Sequence, residues 1–217
     1  MRRPRFIASQ ARHARGLLGW LIAFIMARET WAQNQRAVES LGVLPGDHVL
    51  DIGCGPGRSL AMLAAQARDG RVVGADPSQL MAEVAARRNR KLINSGQVDV
   101  VMASAASLPF EDGVFDNVLC VHVVYFWNDL AAAFAEIARV LKPGGQLALL
   151  FRTNADVKAV QAFPAEVYSF RSLADVIAPL EAAGFAVQTR DELCCEPQTA
   201  PVLLVATRRA YQARNAA

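Results

Sequence analysis

Val49-Leu50-Asp51-Ile52-Gly53-Cys54-Gly55-Pro56-Gly57 decides how this chain folds. A short apolar run reaches an acidic residue, and three glycines at alternate positions follow. Such a run reads as a buried strand. Glycine is required where backbone turns tightly and a ligand approaches closely, because any Cβ would intrude. The stretch therefore predicts a strand, a ligand-cradling turn and the start of a helix. Its spacing also discriminates among nucleotide-like ligands. The dinucleotide fingerprint G-x-G-x-x-G needs glycine at 53, 55 and 58, but position 58 is Arg58.

Outward from this stretch, strand and helix patterns alternate, as they do in a parallel sheet. Strands are predicted over 48–52, 71–75, 98–103, 115–123 and 146–151, with helices over 57–68 and 78–93. A further helix places Leu130, Phe134, Ile137 and Leu141 on one face, and Lys142-Pro143-Gly144-Gly145 stops it. After an irregular stretch, 153–171, the last helix turns Leu173, Val176, Ile177 and Leu180 inward. Two closing strands, 186–192 and 202–207, complete the pattern as an antiparallel edge hairpin. The expected fold is α/β: a Rossmann-like seven-stranded sheet, mostly parallel, with N-terminal capping helices. No repeat or linker divides the chain, so 1–217 reads as one domain with a helical cap over 1–40 and a core over 41–217.

At 217 residues and 53% hydrophobic content the chain can bury a substantial core. The net charge of +3 is unevenly spread. Arg2, Arg3, Arg5, Arg12 and Arg15 stand in the first fifteen residues without an acid among them. Taking those five from 23 basic residues leaves 18 against 20 acidic ones, which excludes a basic nucleic-acid platform in the fold body. The basic arm is either a solvated tail or a weak contact for an anionic membrane. Cys54, Cys120, Cys194 and Cys195 offer no C-x-x-C pair and no zinc spacing, so no metal is expected. Cys54 and Cys120 read as small packing residues. Cys194 and Cys195 are either a reactive pair or thiols at a strand end. A reducing, cytoplasmic setting fits this usage.

Residues 17–27 are apolar on every side and follow basic residues, which mimics a signal peptide but is too short to span a bilayer. Leu17, Leu18, Leu21, Ile22 and Ile25 form one helical stripe, and Trp20, Phe24, Ala27 and Trp31 another. A helix apolar on two faces is usually covered on both. The segment is expected to cap the ligand site, with a membrane-surface or homodimer contact as the other option.

Asp51 followed by glycines at 53, 55 and 57 resembles motif I of the class I S-adenosylmethionine (SAM) dependent methyltransferases. Further segments share the likeness: Asp76-Pro77-Ser78 with Met81, Leu108-Pro109-Phe110 before Phe115-Asp116, and Ala182-Ala183-Gly184-Phe185. Glu136-Ile137-Ala138-Arg139-Val140-Leu141-Lys142-Pro143-Gly144-Gly145 resembles the family's signature leading into strand five. The likeness covers most of the chain and is similar to small-molecule enzymes of the ubiquinone/menaquinone-biosynthesis type. It implies SAM as methyl donor and S-adenosylhomocysteine (SAH) as product.

The same resemblance assigns roles. Gly53, Cys54, Gly55 and Gly57 would lie against the methionine part, and Asp51 would compensate its ammonium. Asp76, after strand two, would accept hydrogen bonds from both ribose hydroxyls, leaving Ser78 to cap the next helix. Pro77 and Met81 would pack near adenine, with Ser104 and Ala105 at its edge; Ser104 stands where the family usually has an acid. His122 and Tyr125 are candidate bases, although His122 equally suits a hydrogen bond to cofactor or backbone. Trp20, Phe24, Trp127, Tyr168 and Arg171 are candidate acceptor contacts. The acceptor is expected to be a small apolar molecule such as a lipid, quinone precursor or secondary metabolite. No Asn/Asp-Pro-Pro-Tyr follows strand four, which argues against DNA-adenine methylation. A SAM-binding protein without transferase activity, and an NAD(P)-dependent reductase, are the competing readings.

Overall fold

Val49, Leu50 and Ile52 are all buried in β1 (His48–Ile52), which has covered faces on both sides and so tolerates no polar alternation. The computed structural model describes residues 5–12, 14–189 and 201–210. Three helices precede β1: α1 (Arg5–Arg12), α2 (Gly16–Glu29) and α3 (Trp31–Ser40). After it come α4 (Arg58–Gln66), β2 (Arg71–Asp76), α5 (Gln79–Arg88), α6 (Arg90–Asn94), β3 (Val98–Met102) and β4 (Phe115–Val121). A 3-10 turn, Val124–Phe126, leads to α7 (Leu130–Val140), β5 (Leu141–Phe151), α8 (Val157–Ala162) and α9 (Leu173–Ala182). The strands β6 (Phe185–Thr189) and β7 (Val202–Arg208) close the fold.

The seven strands form one sheet in the order β3-β2-β1-β4-β5-β7-β6. β1 to β5 pair in parallel, and β7 runs antiparallel between β5 and β6. This is the expected Rossmann-like fold with its antiparallel edge. Neighbouring residues serve opposite layers. Leu50, Val118 and Leu147 face α7 and α9, whereas Val49, Leu119 and Ala148 face α3 and α4. Strand order reverses between β1 and β4, and the carboxyl ends there form the crevice where ligands bind in open α/β sheets.

The signature before strand five acts as a set of staples. Glu136 Oε1 accepts from Leu108 N at 2.8 Å, and Arg139 donates to the carbonyls of Phe110 and Leu108. Lys142 Nζ donates to both oxygens of Asp116 at 2.7 and 2.8 Å. Leu141 pairs with Phe115 and Gln146 with Asn117, so residues 142–145 bulge inside β5 and the expected start at 146 is corrected to Leu141.

Other elements also differ from expectation. The helix predicted over 78–93 breaks at Asn89, whose side-chain amide donates to the carbonyls of Gly57 and Ala85 at 2.9 Å each. β4 ends at Val121 because His122 turns into the left-handed region, φ 57°. The irregular stretch contains α8. Helix α2 is not covered on both faces: Ile22 is buried, while Trp20, Leu21, Phe24 and Ile25 are exposed. Cys194, Cys195 and the predicted strand residues 190–192 lie outside the described residues. Among the described residues no helix is long and apolar enough to cross a membrane.

Candidate active site

The loop after β1 folds back on β2, with Gly53 N and Cys54 N both donating to the Ala75 carbonyl at 2.7 and 3.2 Å. Gly53 has φ 73°, and a Cβ there would run into the Val123 side chain. Gly55 has φ 52°, and a Cβ would meet no protein atom within 4 Å. It would instead intrude on a cavity of about 310 Å³ that Gly55 lines. That volume lies at the lower end of the range for small-molecule sites, roughly 300–1,000 Å³. Gly57 caps α4, held by Asn89 through its carbonyl.

Asp76, at the end of β2, is buried in the wall of this cavity. Its Oδ2 accepts from Gly55 N at 3.0 Å and its Oδ1 from Ser78 N at 2.9 Å. Each oxygen retains a further lone pair. Burial raises its pKa, and the two backbone donors oppose that rise. Ser78 caps α5, accepting from Met81 N at 3.4 Å, and its hydroxyl donates to the Ala14 carbonyl at 3.1 Å. Pro77, Met81, Ser104 and Ala105 line the same cavity, as do Gly53 and Cys54.

Asp51 stands behind the loop, accepting a short hydrogen bond from the Ser59 hydroxyl. Desolvation lifts its pKa to about 7, with the charge of Asp76 adding to the rise and Ser59 opposing it. Burial also pushes the Cys54 and Cys120 thiols well above their ordinary value, which keeps them protonated and poorly nucleophilic.

The far wall follows β4. His122 Nδ1 lies 3.0 Å from the Tyr125 hydroxyl, and its Nε2 makes a short hydrogen bond with Gln33 Oε1 on α3. The amide oxygen of Gln33 can only accept, so Nε2 carries the proton and Nδ1 accepts from Tyr125. The Tyr125 oxygen in turn accepts from Arg152 N at 2.6 Å. Desolvation, followed by the Arg152 charge, lowers the His122 pKa to about 3. Desolvation chiefly raises that of Tyr125, despite the Arg152 N–H. His122 is thus neutral and committed at both nitrogens, and Tyr125 stays protonated behind it. Neither is poised as a general base.

The acceptor candidates separate. Trp127 lines the cavity beside Phe126 and Val123. Arg171 is a brace, donating to the carbonyls of Val124 at 3.0 Å and Trp127 at 2.8 Å. Tyr168 is buried among Tyr125, Phe126, Phe163 and Phe170, with ring centroids 4.5–6.0 Å away. Trp20 and Phe24 stack on each other at 5.8 Å on the surface of α2 and do not line the cavity. The cap contributes Gln10, Thr30 and Asn34 instead, and Arg58 reaches the cavity from α4. Asn34 Nδ2 bonds the Thr30 carbonyl at 3.0 Å, fixing that corner. These four residues carry no local motif; only the packing of α1, α3 and α4 around the cavity reveals them. Among the described residues no three His, Cys, Asp or Glu side chains gather into a metal site.

A glycine loop, a strand-two carboxylate at a cavity and this strand order define an α/β protein with a ligand crevice at its switch point. A profile described as a methyltransferase domain matches residues 50–149. The uncharacterized methyltransferase YdaC of Bacillus subtilis (strain 168) is 31% identical over 165 residues, covering 76% of this chain and 86% of that protein. The demethylmenaquinone methyltransferase of Symbiobacterium thermophilum is 36% identical over 128 residues, 58% of this chain and 51% of that protein. This chain thus aligns with about half the length of that second relative. The solved YcgJ protein of Bacillus subtilis superposes with a TM-score of 0.68 at 20% identity, covering 82% of this chain and 98% of that one, and shares the fold. The chain belongs to the class I SAM-dependent methyltransferases.

Proposed function

We propose that the protein binds SAM in the cavity beside Asp76 and transfers the methyl group by in-line displacement to a small apolar acceptor, releasing SAH. The observation that carries this is Asp76: a buried carboxylate, oriented by two backbone donors, with acceptor capacity left at the cavity wall. Two vicinal ribose hydroxyls suit that capacity. Gly55 leaves the space a methionine chain needs, Met81 offers an apolar surface to adenine, and Ser104 with Ala105 offers a polar edge. Asp51 is assigned to the ammonium, directly or through water. Bound SAM would supply a methyl on a sulfonium sulfur, a leaving group that needs no acid.

The chain's task is then alignment and exclusion of water, which can supply up to roughly 7–11 kcal/mol. Trp127, Phe126 and Val123 form an apolar wall that suits a lipid, quinone precursor or secondary metabolite. The name of the demethylmenaquinone methyltransferase relative supports a quinone-like acceptor. His122 is assigned to holding the wall; its low pKa and its two bonds argue against proton removal. The buried thiols of Cys54 and Cys120 suit a reducing, cytoplasmic setting.

The commitment of His122 also favours a second reading, a SAM- or SAH-binding protein that catalyses no transfer. Incubation with methyl-labelled SAM and a cell extract separates the two. Label appearing in an organic-extractable product supports the enzyme. SAM binding without product formation supports the sensor or partner subunit.

A further inference from the structure

We propose that α2 and the basic groove beside its C-terminal end dock the protein on an anionic membrane surface. This does not rest on the methyl-transfer reading. Trp20, Leu21, Phe24 and Ile25 are 43–47% exposed. Their spacing puts them on one continuous helical stripe, and the Trp20 and Phe24 rings stack within it at 5.8 Å. Opposite them Ile22 is buried, so the helix seats one face on the domain and leaves the other uncovered by the described residues. With fourteen residues α2 is about 21 Å long, too short to span a bilayer and suited to lying in its interface.

Charge selects the occupant. Arg28 is exposed in the last turn of α2. Trp31 then opens a groove of about 650 Å³, also lined by Arg58, Arg87, Arg88, Arg90 and Lys91. The Arg58 guanidinium sits 4.3 Å over the Trp31 ring. A single residue, Thr30, separates the end of α2 from Trp31, so the groove adjoins the C-terminal end of the helix. The nearby acids are Glu29, the last residue of α2, and Glu83, 3.9 Å from Arg87. The sequence before α2 adds Arg2, Arg3, Arg5, Arg12 and Arg15. An apolar helix beside clustered cations is the two-signal arrangement that stable interfacial binding requires, and phosphate headgroups are its electrostatic complement. A second copy on the same face would bring its own cations with it.

The test is co-sedimentation of the full chain with vesicles of phosphatidylcholine alone, or with one third phosphatidylglycerol. Binding to the anionic vesicles is expected to be at least ~10-fold stronger and to weaken with salt. The double variant Trp20→Ser/Phe24→Ser should lose ~10-fold or more of it. The triple variant Arg87→Glu/Arg90→Glu/Lys91→Glu should fall to the level of the neutral vesicles. Thermal melts check that both remain folded, and the wild-type comparison stands if either does not. Equal partition into both vesicle types, no partition, or a dimer abolished by Phe24→Ser would each overturn the proposal.

Discussion

The two ends of the cavity are assembled over different distances along the chain. At the β1 and β2 end, Gly55 and Asp76 meet across 21 residues, and the intervening helix and strand bring them there. At the β4 end, His122 meets Gln33 across 89 residues, and the contact exists only because the cap has settled on the sheet. The first end presents a carboxylate and space; the second presents an apolar wall and a histidine already satisfied. The contrast teaches that the Asp76 end of the cavity is built within the βαβ unit, whereas the His122 end depends on the packing of α3.

The largest effect should come from Asp76→Ala. It removes the proposed ribose acceptor and strips the Gly55 and Ser78 amides of theirs. SAM and SAH affinity should fall between ~100- and ~1,000-fold, about 3–4 kcal/mol, by calorimetry. Unaltered affinity would remove Asp76 from the ribose site.

Acidity distinguishes the ends next. Asp51 has its pKa raised from 3.8 to about 7, so between those values the folded state holds a proton that the unfolded chain releases. Its contribution is present at low pH and lost as pH rises through that interval. His122 has its pKa lowered from 6.5 to about 3, so the unfolded chain takes up a proton that the folded state refuses. Stability from this side therefore rises with pH over its interval. The slopes, each about 1.4 kcal/mol per pH unit, largely cancel between roughly pH 4 and 6.5. Asp76, also raised, tilts the balance toward acid. Denaturant titrations should show Asp51→Asn gaining stability with rising pH relative to wild type, and His122→Asn losing it. Parallel pH profiles for the two variants would show that the ends do not oppose each other.

Two glycines separate fold from binding at the first end. Gly53→Ala collides with Val123 and should cost about 1–3 kcal/mol of stability. Gly55→Ala incurs only the left-handed backbone cost, about 1 kcal/mol, yet should weaken SAM at least ~10-fold by filling its space. The smallest effect is expected of Gln33→Ala, about 1 kcal/mol in a denaturant melt, from the lost partner of His122 Nε2. Imidazole NMR should show the His122 pKa moving up as water enters.

What the sequence reveals follows the same division. The alternating strands and helices, the glycine turn and Asp76 are legible because each rests on local spacing and an apolar period. Ser78 as the cap, with Asp76 left for the cavity, is legible for the same reason. Gln33, Thr30, Asn34 and Asn89 are not, since a polar residue on a helix gives no sign of its partner before the helices pack. The break at Asn89 is invisible for the same reason: its amide leaves the helical pattern to hold Gly57. Trp20 and Phe24 mislead because an apolar stripe looks the same whether it covers a cavity or faces outward.

The most direct test is a calorimetric titration of the purified chain with SAM, SAH and NAD. SAM and SAH should bind at one site per chain, with both heats lost in Asp76→Ala, and NAD should give none. Binding of NAD, or of neither SAM nor SAH, would mean that the cavity beside Asp76 serves another ligand.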